Sequence, residues 1–255
     1  MGCIISISNQ KGGVGKTTTA VNLSASLAVA NKRCLLIDCD PQGNATTGVG
    51  YEKSNLKKGV YYFLFNDANA DDVILDTELS DLFIIGSDPY LVGAEVELAD
   101  IDQREFKLKD RLLSLRKSYD YIFLDCPPSL GFLTLNALTA ADFVIIPLQC
   151  EYYSLEGLGQ IFNTIKVVRK SLNPSLKLAG ILLTMYDVRN NLSLQVEEEV
   201  RRHFKGLVFK TKIPRNVRLS EAPSHGRPAL LYDIRSKGAQ SYLSLAREII
   251  EKGVI

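Results

Sequence analysis

The sequence predicts an α/β fold: a doubly wound, mostly parallel sheet with helices on both faces. Apolar runs of strand length alternate with longer stretches of helical period along the chain. Several runs are apolar at consecutive positions, as strands buried on both faces are. Right-handed crossovers between such strands then place the helices on the two faces of one sheet.

In chain order the strand runs are residues 3–8, 34–38, 82–85, 121–125, 143–147, 178–184 and 208–213. Helical periodicity covers 16–30, 106–117, 133–140, 155–171, 194–204 and 237–251. The stretch 53–79 is less regular and is expected to form only short helices. No repeat, low-complexity tract or linker-like segment interrupts the pattern, so residues 1–255 read as a single domain.

Composition narrows the function classes. Of 255 residues 46% are apolar and 23% charged, which excludes a disordered chain. Thirty basic residues against 29 acidic leave a net charge of +1. No global field draws in DNA or anionic lipid, so such contacts must come from a local patch. No stretch approaches the roughly 20 apolar residues that cross a bilayer, and residues 1–9 lack the basic start and cleavage site of a signal peptide. Five scattered cysteines without a CxxC pair argue against a zinc site, an iron–sulfur cluster or a disulfide framework. The chain is expected to be cytoplasmic.

The strongest motif is Ser8-Asn9-Gln10-Lys11-Gly12-Gly13-Val14-Gly15-Lys16-Thr17-Thr18, between the first strand and the first helix. Backbone N–H groups and a helix N-terminus together form an anion site there. Gly12, Gly13 and Gly15 permit close backbone approach. Lys16 can reach the β- and γ-phosphates and the Thr17 hydroxyl can bind Mg²⁺. Gln10 replaces the first glycine of the usual phosphate loop, and Lys11 adds a second lysine.

Two strands end in acids: Asp38-Cys39-Asp40-Pro41-Gln42-Gly43-Asn44 and Asp125-Cys126-Pro127-Pro128. Carboxyl ends of strands are where ligands of open α/β sheets bind. A Mg·ATP site needs carboxylates there to hold the metal's water shell and orient the attacking water. Late in the chain, Pro214-Arg215-Asn216 offers a proline-fixed turn whose amide and backbone groups can meet a base.

These residues resemble the deviant Walker A group of P-loop ATPases, the ParA/MinD family, and within it the chromosome-partitioning ParA/Soj proteins. The resemblance runs from Ile4 to the last helix and is closest in residues 38–48, 125–135, 147–157 and 214–226. It implies an ATPase with ATP and Mg²⁺ as cofactors, cradled by residues 11–18. It implies that Lys11 reaches the partner's ATP in a sandwich homodimer, that Asp40 positions the attacking water, and that Asp125 acts on Mg²⁺ through water. Asp38 sits nearer the metal and the phosphate loop, and Pro214, Arg215 and Asn216 lie by the base. Lys11, Lys16, Asp40 and Asp125 are thus the catalytic set, and Thr17, Asp38 and Asp125 the metal set. Intrinsic turnover is expected to be slow, because the site is complete only in the dimer.

The resemblance further implies non-specific double-stranded DNA as a partner in the ATP state, hence a nucleoid-associated protein, and a ParB-type centromere-binding protein that stimulates hydrolysis. Arg189 and Arg218 match DNA-contacting positions, and Lys210, Lys212, Arg215 and Arg218 follow one another without an acid between them. Arg201 and Arg202, by contrast, follow Glu197, Glu198 and Glu199, as in local pairing on a helix. A MinD-like membrane ATPase would end in a basic amphipathic helix, whereas residues 246–255 mix acids with bases. With the phosphate loop starting at residue 9, an operator-binding domain ahead of it is not expected. A regulator of replication initiation, using ATP as a switch, would carry the same switch residues.

Overall fold

The computed structural model describes residues 2–65, 68–151 and 154–253. Seven strands form one sheet: β1 (Cys3–Ile7), β2 (Cys34–Asp38), β3 (Ile74–Asp76), β4 (Leu82–Ile85), β5 (Tyr121–Asp125), β6 (Phe143–Gln149) and β7 (Lys177–Thr184). Their order is β3-β4-β2-β5-β1-β6-β7, parallel throughout except for β3 against β4. The longer helices are α1 (Lys16–Ala28), α2 (Phe132–Ala140), α3 (Ser154–Ser171), α4 (Asn191–His203) and α5 (Lys237–Lys252).

Alternation along the central strands builds two cores. Leu35, Ile37, Ile122 and Leu124 face one layer with Leu133 and Leu138 of α2. Leu36, Tyr121, Phe123, Ile5 and Ile7 face the other, with Leu23 and Leu27 of α1 and Tyr242 and Leu245 of α5. Both sets are buried, which is why these strands read as continuous apolar runs. The last helix is a core helix: Ala239, Tyr242, Leu245, Ala246 and Ile249 are buried, and the Tyr242 and Thr19 hydroxyls meet at 3.2 Å. No described helix is long and apolar enough to cross a membrane.

Three stretches depart from expectation. Residues 208–213 are not a strand of the sheet but touch β7 through the isolated parallel bridge of Ile181 with Val208 and through Phe209 N and Ile213 N, which donate to Ile181 O and Leu183 O; just past both segments Tyr186 bridges to Pro214. The Glu248 carboxylate accepts from Lys210 N at 2.8 Å and Thr211 N at 2.9 Å, taking two N–H groups of this stretch for α5. The helix expected over 106–117 breaks into Arg104–Phe106, Lys107–Leu112 and Leu115–Lys117. Gly2 N donates to Arg116 O at 2.6 Å, which joins the last of these turns to the start of β1. Within 53–79 the short helices Lys53–Asn55, Val60–Leu64 and Ala70–Val73 are joined by β3, the antiparallel edge strand.

Candidate nucleotide site

Strand register brings the carboxylates together. Asp125 lies beside Asp38 on one side and Ile7, one residue before the phosphate loop, on the other. The loop leaves β1 and enters α1 through Gly15, which holds φ +89° and caps the helix; Gly13 holds φ +75°. Side chains rarely adopt those angles, and they let successive N–H groups line a concave anion cradle. The loop is braced from both sides: Asn9 Nδ2 donates to Pro147 O at 2.7 Å, and Thr184 Oγ1 donates to Val14 O at 2.8 Å.

The two loop lysines part company. Lys16 is buried and its ammonium donates to Lys11 O at 3.0 Å. Burial pulls its pKa down, while Asp125 and Asp40 push it back up. Lys11 turns outward and pairs with Glu151 at 2.5 Å.

Asp125 is fully buried, and neither carboxylate oxygen has a hydrogen-bond partner of full geometry. Burial and the neighbouring Asp38 drive its pKa well up, with Thr17 and Lys16 acting against them. Two orphaned oxygens beside a phosphate cradle and a threonine hydroxyl fit a hydrated divalent cation. Among the described residues no group of three or more His, Cys, Asp or Glu could hold a metal alone.

The turn after β2 is held by Asp38. Its Oδ2 accepts from Thr46 N and Thr46 Oγ1, both at 2.7 Å, and its Oδ1 accepts from Asp40 N at 3.3 Å. Burial lifts the Asp38 pKa to about 6 against these hydrogen bonds. Asp40, nearly buried, accepts from Gln42 N at 2.9 Å.

Beyond Thr184 a cleft of about 970 Å³ opens, lined by Tyr186, Arg189, Pro214, Arg215, Asn216 and Lys237 among others. Asn216 Oδ1 is buried without a partner. Arg189 lies on this rim but is paired with Asp187 at 2.8 Å, and holds that carboxyl down to about 2. Arg218 pairs with Glu221 at 2.8 Å and Asp233 at 3.3 Å, and Lys212 with Glu197 at 2.9 Å. The basic run expected near 210–218 is therefore partly neutralised by acids from outside it.

The structure thus gathers residues 11–18, Asp38, Asp40 and Asp125 into one site and sets Pro214, Arg215, Asn216 and Arg189 in the adjoining cleft. Glu151, Thr46 and Thr184 were not singled out by the sequence, although Thr46 lies inside the stretch 38–48 and Glu151 inside 147–157.

Comparisons with known proteins agree with this geometry. Residues 2–178 match the family described as an AAA domain. The chain is 57% identical over 253 residues to the sporulation initiation inhibitor protein Soj of Bacillus subtilis, covering 99% of this chain and 100% of that one. It is 58% identical over 252 residues to the chromosome partitioning protein ParA of Myxococcus xanthus, covering 99% and 89%. Among solved structures, cobyrinic acid a,c-diamide synthase from Mycobacterium smegmatis with bound ATP analogue and magnesium superposes with a TM-score of 0.89. That structure is 36% identical and the match covers 99% of this chain and 96% of the other. With a phosphate loop, two carboxylate strands and relatives of this identity along its whole length, the chain belongs to the ParA/Soj family of chromosome-partitioning P-loop ATPases.

Proposed function

We propose that this ATPase is an ATP-gated DNA clamp: ATP closes a sandwich dimer, the dimer binds DNA without sequence preference, and hydrolysis stimulated by a ParB-type partner resets it. The observation that carries the reading is the opposite direction of the two loop lysines. Lys16 turns into its own cradle, whereas Lys11 projects from the loop to the rim at Glu151. A lysine so placed is available to a second subunit's phosphates, where it would supply in trans the charge an arginine finger supplies elsewhere.

Within the closed site, Lys16 and the N–H groups of residues 12–18 bind the phosphates, and Asp40 orients the attacking water. Thr17 and, through water, Asp125 would hold Mg²⁺, which when bound neutralises charge on the phosphates. Asp38 has both oxygens engaged by the turn after β2, so we assign it to holding that turn instead of the metal. The Pro214–Asn216 turn, which lines the adjoining cleft, would meet the base. Arg189 and Arg218 offer phosphate contacts in exchange for their present carboxylate partners, which makes DNA binding weak in one subunit and salt-sensitive in two.

Light scattering on Asp40→Ala protein tests the dimer. The account expects a dimer with MgATP, a monomer with MgADP and no phosphate release. A monomer in both states, or wild-type turnover by Asp40→Ala, would refute it.

A further inference from the structure

Helix α2 begins without a cap of its own. Its N-cap residue, Gly131, has no side chain, and its first turn carries no acid. The donors are met from elsewhere in the chain: Glu95 Oε2 accepts from Phe132 N at 2.6 Å, and Glu95 Oε1 accepts from Leu133 N at 3.2 Å. A carboxylate in that position satisfies two orphan N–H groups and faces the positive end of the helix dipole. Gly131 is what its approach requires. A Cβ there would stand 2.3 Å from Glu95 Oε1 and 2.6 Å from Oε2.

Glu95 stands on the short helix Ala94–Ala99, which has its own anchors. Leu91, Ala94 and Leu98 are buried, and Asp88 Oδ1 accepts from Tyr90 N at 3.0 Å. The start of the same segment is fixed to the turn after β2: Ser87 N donates to Thr46 Oγ1 at 2.8 Å, and that hydroxyl donates to Asp38 Oδ2 at 2.7 Å. Residues 87–95 therefore run from the turn after Asp38 to the start of α2 and are hydrogen-bonded to both. The turn after Asp125 is in addition closed onto α2, since Thr134 Oγ1 donates to Ser129 O at 2.6 Å. Where α2 starts thus sets where residues 126–131 lie.

We infer that Glu95 is a positioning residue for ATP hydrolysis: seated at the N-terminus of α2 against Gly131, its carboxylate fixes the turn that follows Asp125 and ties it to the Asp38–Thr46 turn. It acts through those turns and not on the nucleotide. The inference concerns hydrolysis itself and stands apart from the DNA and partner readings.

The test compares Glu95→Ala, Glu95→Gln, Gly131→Ala and the double variant Glu95→Ala/Gly131→Ala. Each is read by kcat, by affinity for a non-hydrolysable MgATP analogue, and by amide exchange at Phe132 and Leu133. Glu95→Ala should lower kcat about tenfold with affinity held within about threefold, and speed exchange at both amides. Glu95→Gln, which keeps one acceptor oxygen, should fall between it and wild type. Gly131→Ala alone should resemble Glu95→Ala, because the new methyl expels the carboxylate. The double variant should be no slower than Glu95→Ala. Wild-type kcat and exchange in Glu95→Ala would overturn the inference. So would affinity and rate falling together, or Gly131→Ala adding its full loss on top of Glu95→Ala. If Glu95→Ala does not fold, Glu95→Gln and Gly131→Ala decide the matter by the same split between rate and affinity.

Discussion

The Lys11 ammonium sits 2.5 Å from the Glu151 carboxylate, and the Lys11 carbonyl, on the same residue, accepts from Lys16. One residue therefore receives the buried lysine with its backbone while sending its own charge to the rim. Glu151 stands where any second phosphate group must compete for that charge. In Glu151→Gln the competitor is removed, and dimerisation with a non-hydrolysable ATP analogue should begin at a lower protein concentration. The pair is half exposed, so the gain is at most about fivefold. Sedimentation equilibrium reads it, and weaker dimerisation would show that Glu151 serves the closed state instead.

Lys16 has no such freedom. Its ammonium is buried beside Asp125 and Asp40, and burial has lowered its pKa more than these neighbours raise it, so incoming phosphates add counter-charge where it is needed. Lys16→Ala should weaken MgATP binding on the order of 100-fold, the loss of a charged hydrogen bond in a buried place. Calorimetric titration checks this, and affinity within a factor of three of wild type would contradict the phosphate assignment.

A pH dependence follows from Glu197, which joins α4 to the stretch before Pro214. Tyr186, Lys212 and Arg201 all donate to it, and these bonds outweigh burial to bring its pKa from 4.5 down to about 2. A depressed carboxyl contributes stability that is present above pH 4.5 and lost as pH falls through about 2. Glu197→Gln should therefore unfold more easily at pH 7, by about 1–2 kcal/mol allowing for solvent around the pair. The difference should narrow below pH 4. Melting curves at pH 7 and pH 3 measure it; an equal gap at both would contradict the ionic origin.

What the sequence made legible was local. Leu35-Leu36-Ile37 and Ile122-Phe123-Leu124 announce strands because each residue feels burial on its own face, and Gly13 to Thr18 announce a phosphate cradle because the chemistry is contiguous. What it hid depended on distant partners. Residues 208–213 have strand-like composition, and Phe209 N and Ile213 N do donate to β7, but Glu248, 38 residues beyond Lys210, takes the N–H groups of Lys210 and Thr211 between them. Strand β3 is three residues long and exists only by pairing with β4. Glu151 lies 140 residues from Lys11, and Glu95 lies 37 from Phe132. A lone glutamate carries no spacing signal, so only the folded chain reveals either contact. The pairing of the basic run at 210–218 was hidden for the same reason: the acids that meet Lys212 and Arg218, namely Glu197, Glu221 and Asp233, lie outside it.

ATP, and not ADP, should create a DNA-binding surface. Co-sedimentation with a long double-stranded DNA of arbitrary sequence tests it, run with MgADP and with a non-hydrolysable MgATP analogue at 50 mM and 200 mM salt, concentrations between which four phosphate contacts weaken by about 100-fold. Pelleting is expected with the analogue alone, and is lost at the higher salt. Equal pelleting with both nucleotides, or none with either, would contradict it.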